Sequence, residues 1–241
     1  LHWSNFLPAT QTAFDWQNID TVLLDIDGTL LDLHYDNFVW DKVVPEAYAQ
    51  FKQLPYPEAK EQLFAEMRQV HGSIEFYSFD FWQRQTGLDI TDLHQQQSQL
   101  IGFRADAEAF LDWLQQSPHQ AIIATNADHN SLGIKDKIIG LSKRVDQIYS
   151  SQDFGCPKEH QNFWHQLQNQ CGFDPKRTLF LDDTERVRLG LAVLCSVDQS
   201  VAVERVQDPI APRKRAFRVA ERIVVRGSTN DADQRCDFSY S

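Results

Sequence analysis

What this sequence lacks narrows its class before any motif is read. Cysteine is scarce, and Cys156, Cys171, Cys195 and Cys236 stand far apart with no C-x-x-C pair. Such spacing suits neither a zinc cluster nor the disulfide framework of a secreted domain, so a reducing, cytoplasmic setting is the expectation. No uncharged apolar run reaches the roughly 18 residues a membrane helix needs. Leu1 to Asp20 has no basic stretch leading into an apolar one, so no export signal is read. Positive charge is short as well: 23 basic side chains face 34 acidic ones, a formal net charge of -11. That balance disfavours a nucleic-acid backbone or an anionic membrane as partner. A phosphate-bearing small molecule stays open, provided a metal or a local lysine inverts the field at its site.

The 241 residues are enough for one sizeable core, or for a core with a smaller domain inserted in it. Three short apolar runs end in polar residues: Val22-Leu23-Leu24 before Asp25, Ala121 to Ala124 before Thr125, and Leu179-Phe180-Leu181 before Asp182. Short apolar runs bounded in this way read as strands buried on both faces of a parallel sheet, and Gln147 to Ser151 is a fourth candidate. Amphipathic stretches of helical length, Asp106 to Gln116 and His160 to Gln170, accompany them. The expected fold is therefore α/β, a doubly wound parallel sheet whose ligands bind at the carboxyl ends of the strands.

The first two strands are separated by about 95 residues, far more than a crossover needs, so something is inserted. Helical patterning there includes Pro57 to His71, and aromatics are dense, among them Tyr35, Phe38, Trp40, Phe76, Tyr77, Phe79, Phe81 and Trp82. We read 1–32 and 105–200 as a discontinuous core, 33–104 as a helical cap over the crevice, and 201–241 as an atypical tail.

Asp25 and Asp27 are two apart at a strand end, which puts their carboxylates on one face while Ile26 points away. One could attack phosphorus while the other protonates the departing oxygen. Carboxylates repel a phosphate dianion, so the site calls for a cation, and Mg²⁺ suits all-oxygen ligation. Asp182 and Asp183 are adjacent acids at another strand end, and they repel each other unless a cation or donors compensate. Lys158 supplies a compact positive charge, and Thr125 with Asn126 offers a hydroxyl and backbone N–H groups for phosphoryl oxygens.

Taken in this order, the residues resemble the haloacid dehalogenase superfamily of phosphatases from about Thr21 to Val187. The resemblance implies that Asp25 is the nucleophile and Asp27 the general acid/base. Thr125 and Lys158 would stand for the second and third family motifs, and Asp182-Asp183 for the fourth. Metal would be held by Asp25, by the backbone carbonyl of Asp27, by Asp183 and, in support through water, by Asp182. It also implies a two-step reaction through an aspartyl-phosphate. The segments Asp20 to Leu33, Thr125-Asn126-Ala127, Phe154 to Glu159 and Thr178 to Asp183 are similar to the bacterial GMP/IMP nucleotidase branch, which implies a purine 5′-monophosphate as substrate. Small sugar phosphates, or a catalytically impaired protein with an altered C-terminus, are the alternatives.

Beyond Val187 the pattern stops: arginine displaces lysine, Pro209 to Arg226 is basic, and Gly227 to Ser241 is polar and reads as disordered. Either a diverged tail still supplies a strand through Ala192 to Val197, or, as we prefer, the tail reflects a shifted reading frame. Apolar helix and strand patterns in another frame of the encoding DNA would support the shift, and their absence from both would end it.

Overall fold

The structure, a computed structural model, describes residues 16–184 and the short strand Ser200–Ala202. The strand expected at Ala192 to Val197 and the tail beyond Ala202 lie outside the described residues. Five parallel strands form one sheet: β1 (Thr21–Leu24), β2 (Gln120–Thr125), β3 (Gln147–Ser150), β4 (Thr178–Asp182) and β5 (Ser200–Ala202), in the order β3-β2-β1-β4-β5. β1 lies at the centre, its Leu24 level with Ile123 on one side and Leu181 on the other. This is the doubly wound α/β fold expected from the sequence.

Period-two alternation along the strands decides which helices each face receives. Val22 and Leu24 of β1, with Ile123, Leu179 and Leu181, belong to the cluster containing Phe110, Leu111 and Leu114 of helix α7 (Ala107–Gln115) and Ile134 of α8 (His129–Ile139). Leu23, Ile122 and Phe180 point the other way, against Phe163, Trp164 and Leu167 of α10 (Gln161–Cys171). All four residues of β1 are buried, as a strand covered on both faces must be.

Between β1 and β2 stand α1 (His34–Phe38), α2 (Val44–Lys52), α3 (Tyr56–Val70), α4 (Ile74–Tyr77), α5 (Phe79–Thr86) and α6 (Ile90–Gln95). A π-helical turn, Val39–Val43, joins α1 to α2 without a break in helical backbone. The chain leaves and re-enters the core side by side: Asp32 N–H donates to the Gly102 carbonyl at 3.0 Å, and Arg104 N–H to the Leu30 carbonyl at 2.9 Å. Helix α8 was not read from the sequence, because Gly133 and the charged run Lys135-Asp136-Lys137 dilute its apolar stripe. The strand expected to run through Ser151 ends at Ser150, whose side chain starts a capping box for α9 (Ser151–Phe154).

The insert is packed around a buried imidazole. His94 lies against the rings of Tyr35, Trp40 and Phe79, with centroids 5.9, 5.2 and 4.3 Å away. Its Nδ1 donates to the Ile90 carbonyl at 2.9 Å, since a carbonyl can only accept, and Nε2 has no partner among the described residues. Burial holds the imidazole pKa down at about 4. An unfolded chain takes up this proton near pH 6.5, whereas the native state refuses it until about pH 4, so stability present above pH 6.5 is lost as pH falls across that window. The loss should reach about 3 kcal/mol. Urea unfolding at pH 7 and pH 4.5 checks this: wild type should lose more stability than His94→Leu, and equal losses would contradict it.

Candidate active site

Asp25 is the first residue past β1, and its N–H still donates to the Leu181 carbonyl of β4 at 2.9 Å, so the sheet itself fixes the start of the loop. Lys158 reaches this point from beyond α9. Its Nζ lies 2.5 Å from Asp25 Oδ1 and 2.8 Å from Asp182 Oδ2, with the side chain 2% exposed. Both ends of the Lys158 peptide unit are anchored: its N–H donates to Asn126 Oδ1 at 2.9 Å, and its carbonyl accepts from Trp164 Nε1 at 2.7 Å. Burial works to strip the ammonium of its proton, but Asp182 and then Asp25 outweigh it and hold the lysine charged. For Asp25, burial pushes the carboxyl up to about 8 against the pull of Lys158, and Asp182 and Asp27 add to the rise.

The loop after Asp25 turns back at once. Ile26 is buried, its carbonyl accepts from Leu31 N–H at 2.8 Å, and Gly28 N–H donates to the Leu31 carbonyl at 2.9 Å. Gly28 has φ +86°, and a Cβ there would sit 2.2 Å from Asp183 Oδ2. Only glycine meets both demands. Asp183 is held from the other side by its own N–H, which donates to Thr29 Oγ1 at 3.1 Å. Arg104, returning from the insert, donates to the Gly28 carbonyl.

Asp25, Asp182 and Asp183 each offer an oxygen within 4.8 Å of the others. Three hard carboxylate donors closing on one point, with Gly28 clearing room beside Asp183, fit a Mg²⁺ ion. Three of the residues named from the sequence as metal ligands come together through their carboxylates, and the fourth, Asp27, was expected to contribute its backbone carbonyl. The carboxylate of Asp27 does not join them: it turns to Lys135 of α8, with Nζ 2.6 Å from Asp27 Oδ1 and 3.0 Å from Asp36 Oδ1. Thr125 and Asn126 stand at the end of β2, where Thr125 Oγ1 accepts from Ala127 N–H at 3.0 Å, and Asn126 Nδ2 donates to Glu159 Oε2 at 3.0 Å.

Lys135, Asp36, Glu159 and Tyr77 were given no part in the site by the sequence reading, although Glu159 and Tyr77 stood in stretches it singled out. Lys135 belongs to the unread helix α8, and nothing in its neighbours distinguishes it from a surface lysine. Glu159 directly follows Lys158, yet its partner Tyr77, whose hydroxyl donates to Glu159 Oε1 at 2.7 Å, comes from the insert. Burial pushes the Asp36 carboxyl up to about 6, with Asp27 adding and Lys135 opposing.

Above these groups opens a cavity of about 520 Å³, within the range of small-molecule sites. Asp25, Asp27, Thr125, Asn126 and Lys158 line its polar part, while Trp40, Phe64, Met67, Phe76 and Phe79 of the insert supply an apolar wall. Tyr77 and Glu159 join the two across the opening. Tyr35, Phe38 and Phe81, counted among the insert aromatics, are not part of the lining.

Gly28→Ala tests the loop geometry. It should cost about 1–3 kcal/mol of stability through its left-handed backbone and displace Asp183, removing the thermal stabilisation by added Mg²⁺ that wild type should display. Thermal unfolding with and without Mg²⁺ measures both effects, and a variant indistinguishable from wild type would refute the packing described.

Comparison with known proteins gives this constellation its relatives. Residues 19–192 match the family model described as haloacid dehalogenase-like hydrolase. GMP/IMP nucleotidase YrfG of Escherichia coli K12 is 39% identical over 172 residues, which cover 71% of this chain and 78% of that protein, and the protein of the same name from Shigella flexneri matches equally. Among solved structures, the HAD phosphatase from Thermococcus onnurineus superposes with a TM-score of 0.68 at 20% identity, covering 84% of this chain and 92% of its own. An HAD family enzyme from Bacteroides thetaiotaomicron gives 0.53 at 16% identity, covering 79% and 96%. These two support the fold, and the family model and the nucleotidases fix the family: the chain belongs to the haloacid dehalogenase-like hydrolases and is a phosphatase among them.

Proposed function

We propose that the chain is a Mg²⁺-dependent phosphomonoesterase that works through an aspartyl-phosphate on Asp25 and takes purine 5′-monophosphates, GMP or IMP, as substrates. One observation carries the reading most directly: Lys158 bridges Asp25 and Asp182 beneath a cavity that is polar at one end and aromatic at the other. Such a shape suits a phosphate joined to a flat, stacking base. The likeness to GMP/IMP nucleotidase YrfG supports the same choice of substrate.

In the first step an Asp25 oxygen attacks phosphorus, the bond from phosphorus to the ester oxygen breaks, and Asp27 passes a proton to the departing alkoxide. In the second, Asp27 takes a proton from a water molecule, the resulting hydroxide forms a bond to phosphorus, and the Asp25–phosphorus bond breaks to release inorganic phosphate. Lys158 keeps Asp25 aimed and offsets the charge gathering on the phosphoryl oxygens. Thr125 and Asn126, at the cavity edge, hold those oxygens. Mg²⁺, carried by Asp25, Asp182 and Asp183, would supply the positive charge that lets a carboxylate approach a phosphate dianion.

In this reading 1–32 and 105–200 are the catalytic core and 33–104 is a cap that shields the reacting phosphate from bulk water. The cytoplasm is the compartment we assign. Cys156 and Cys171, the cysteines among the described residues, form no disulfide, and no helix among those residues is long and apolar enough to cross a membrane.

Phosphate release measured across purine and pyrimidine 5′-monophosphates and sugar phosphates tests the assignment. GMP and IMP should be turned over best, activity should vanish on chelation of Mg²⁺, and Asp25→Asn should lose at least about 1,000-fold in kcat. Preference for a sugar phosphate would overturn the substrate class, and an active Asp25→Asn variant would overturn the nucleophile.

A further inference from the structure

Lys135 has no part in the scheme above, yet it is one of the most enclosed charges among the described residues. Its side chain is 1% exposed, on α8, with its ammonium 2.6 Å from Asp27 Oδ1, 3.0 Å from Asp36 Oδ1 and 5.7 Å from the centre of the Tyr35 ring. Removing an ammonium from water is costly even beside two partly exposed carboxylates, and replacing such groups with apolar ones often leaves a protein as stable or more so. Stability alone therefore does not account for the arrangement.

Its geometry joins two parts of the molecule. Asp27 belongs to the loop that follows β1 in the core. Asp36 belongs to α1, the first helix of the insert, four residues past the crossing strand contact at Asp32. Lys135 comes from α8, a core helix already tied to the insert at its other end: Asp128 caps α8 through Asn130 N–H at 2.7 Å and accepts from Phe79 N–H of α5 at 3.2 Å. Asp27 and Asp36 repel each other, and Lys135 allows them to stand together.

We propose that Lys135 is the positioning residue for the general acid/base, fixing Oδ1 of Asp27 so that proton exchange with the substrate falls to Oδ2, and that through Asp36 it makes this orientation depend on α1 being in place. The proposal rests on the role assigned to Asp27 above. Lys135 does not reach the phosphate in this scheme and acts only through Asp27.

Leaving-group dependence separates this role from a structural one. A nucleoside 5′-alkoxide is a strong base that needs a proton to depart, whereas p-nitrophenolate leaves without one. The parameter kcat/KM covers the steps through the first phosphoryl transfer, before water enters. Lys135→Met, its fold checked by circular dichroism, should lose about 100-fold in kcat/KM on GMP, the scale of a general-acid contribution, and less than about fivefold on p-nitrophenyl phosphate. Lys135→Arg, which keeps the charge, should recover most of the loss on GMP. If Lys135→Met does not fold, Asp36→Asn carries the test at a partly exposed position: about a tenfold loss on GMP and under twofold on p-nitrophenyl phosphate.

Equal losses on both esters, or no loss on either, would overturn the proposal. Wild-type cleavage of p-nitrophenyl phosphate and glycerol phosphate without cleavage of GMP would overturn the nucleotide reading alone, and the contrast would then be read on glycerol phosphate. A wild-type enzyme that cleaves none of the three would overturn both.

Discussion

The ammonium of Lys158, lodged between Asp25 and Asp182, is the contact on which the rest of the arrangement depends. Two carboxylates brought this close in a buried site repel each other, and neither ionises readily without a cation between them. Lys158 provides that cation from within the chain, and it is held in turn by Asn126 and Trp164 at its own backbone. Three strand ends are thereby tied to one residue: Asp25 after β1 and Asp182 at the end of β4 through its ammonium, and Asn126 after β2 through its backbone N–H. The parallel sheet sets where those ends lie, and the charge gives them a reason to lie together.

The insert completes what the core begins. On the sheet alone the acids would face open water, where charges are strongly screened. The insert brings an aromatic wall over them and reaches the polar part at separate points, through Tyr77 to Glu159, through Asp36 to Lys135 and through Phe79 to Asp128. Each contact links an insert residue to a side chain that also lines the cavity, so the insert is joined to the core through the cavity's own polar lining.

Much of this was legible in the residues. The buried strands announced themselves as short apolar runs, and each ended within a residue or two of its expected place because the last apolar side chain marks where the core stops. Asp25, Lys158, Asp182 and Asp183 were singled out because different strand ends each offered one group that phosphoryl transfer needs, and the fold brings those four groups together. Lys135 could not be found in that way, since a lysine on a weakly amphipathic helix looks solvated until the fold carries Asp27 and Asp36 to it. The pairing of Tyr77 with Glu159 is equally a product of topology, joining positions 82 apart in the chain. Asp27 is the instructive case: its spacing from Asp25 put both carboxylates on one face, but nothing in that spacing showed that its carboxylate meets Lys135.

The central claim is that phosphate passes through Asp25. Acid quench of the Asp27→Asn variant within one turnover of p-nitrophenyl phosphate and Mg²⁺, a substrate whose leaving group needs no proton from Asp27, followed by mass spectrometry of the peptide containing residues 21–32, tests it directly. Without its base the second step should stall, and the account predicts one phosphoryl group on Asp25 in that peptide. Release of phosphate with no phosphoryl group on the peptide, or one carried on another residue, would contradict it.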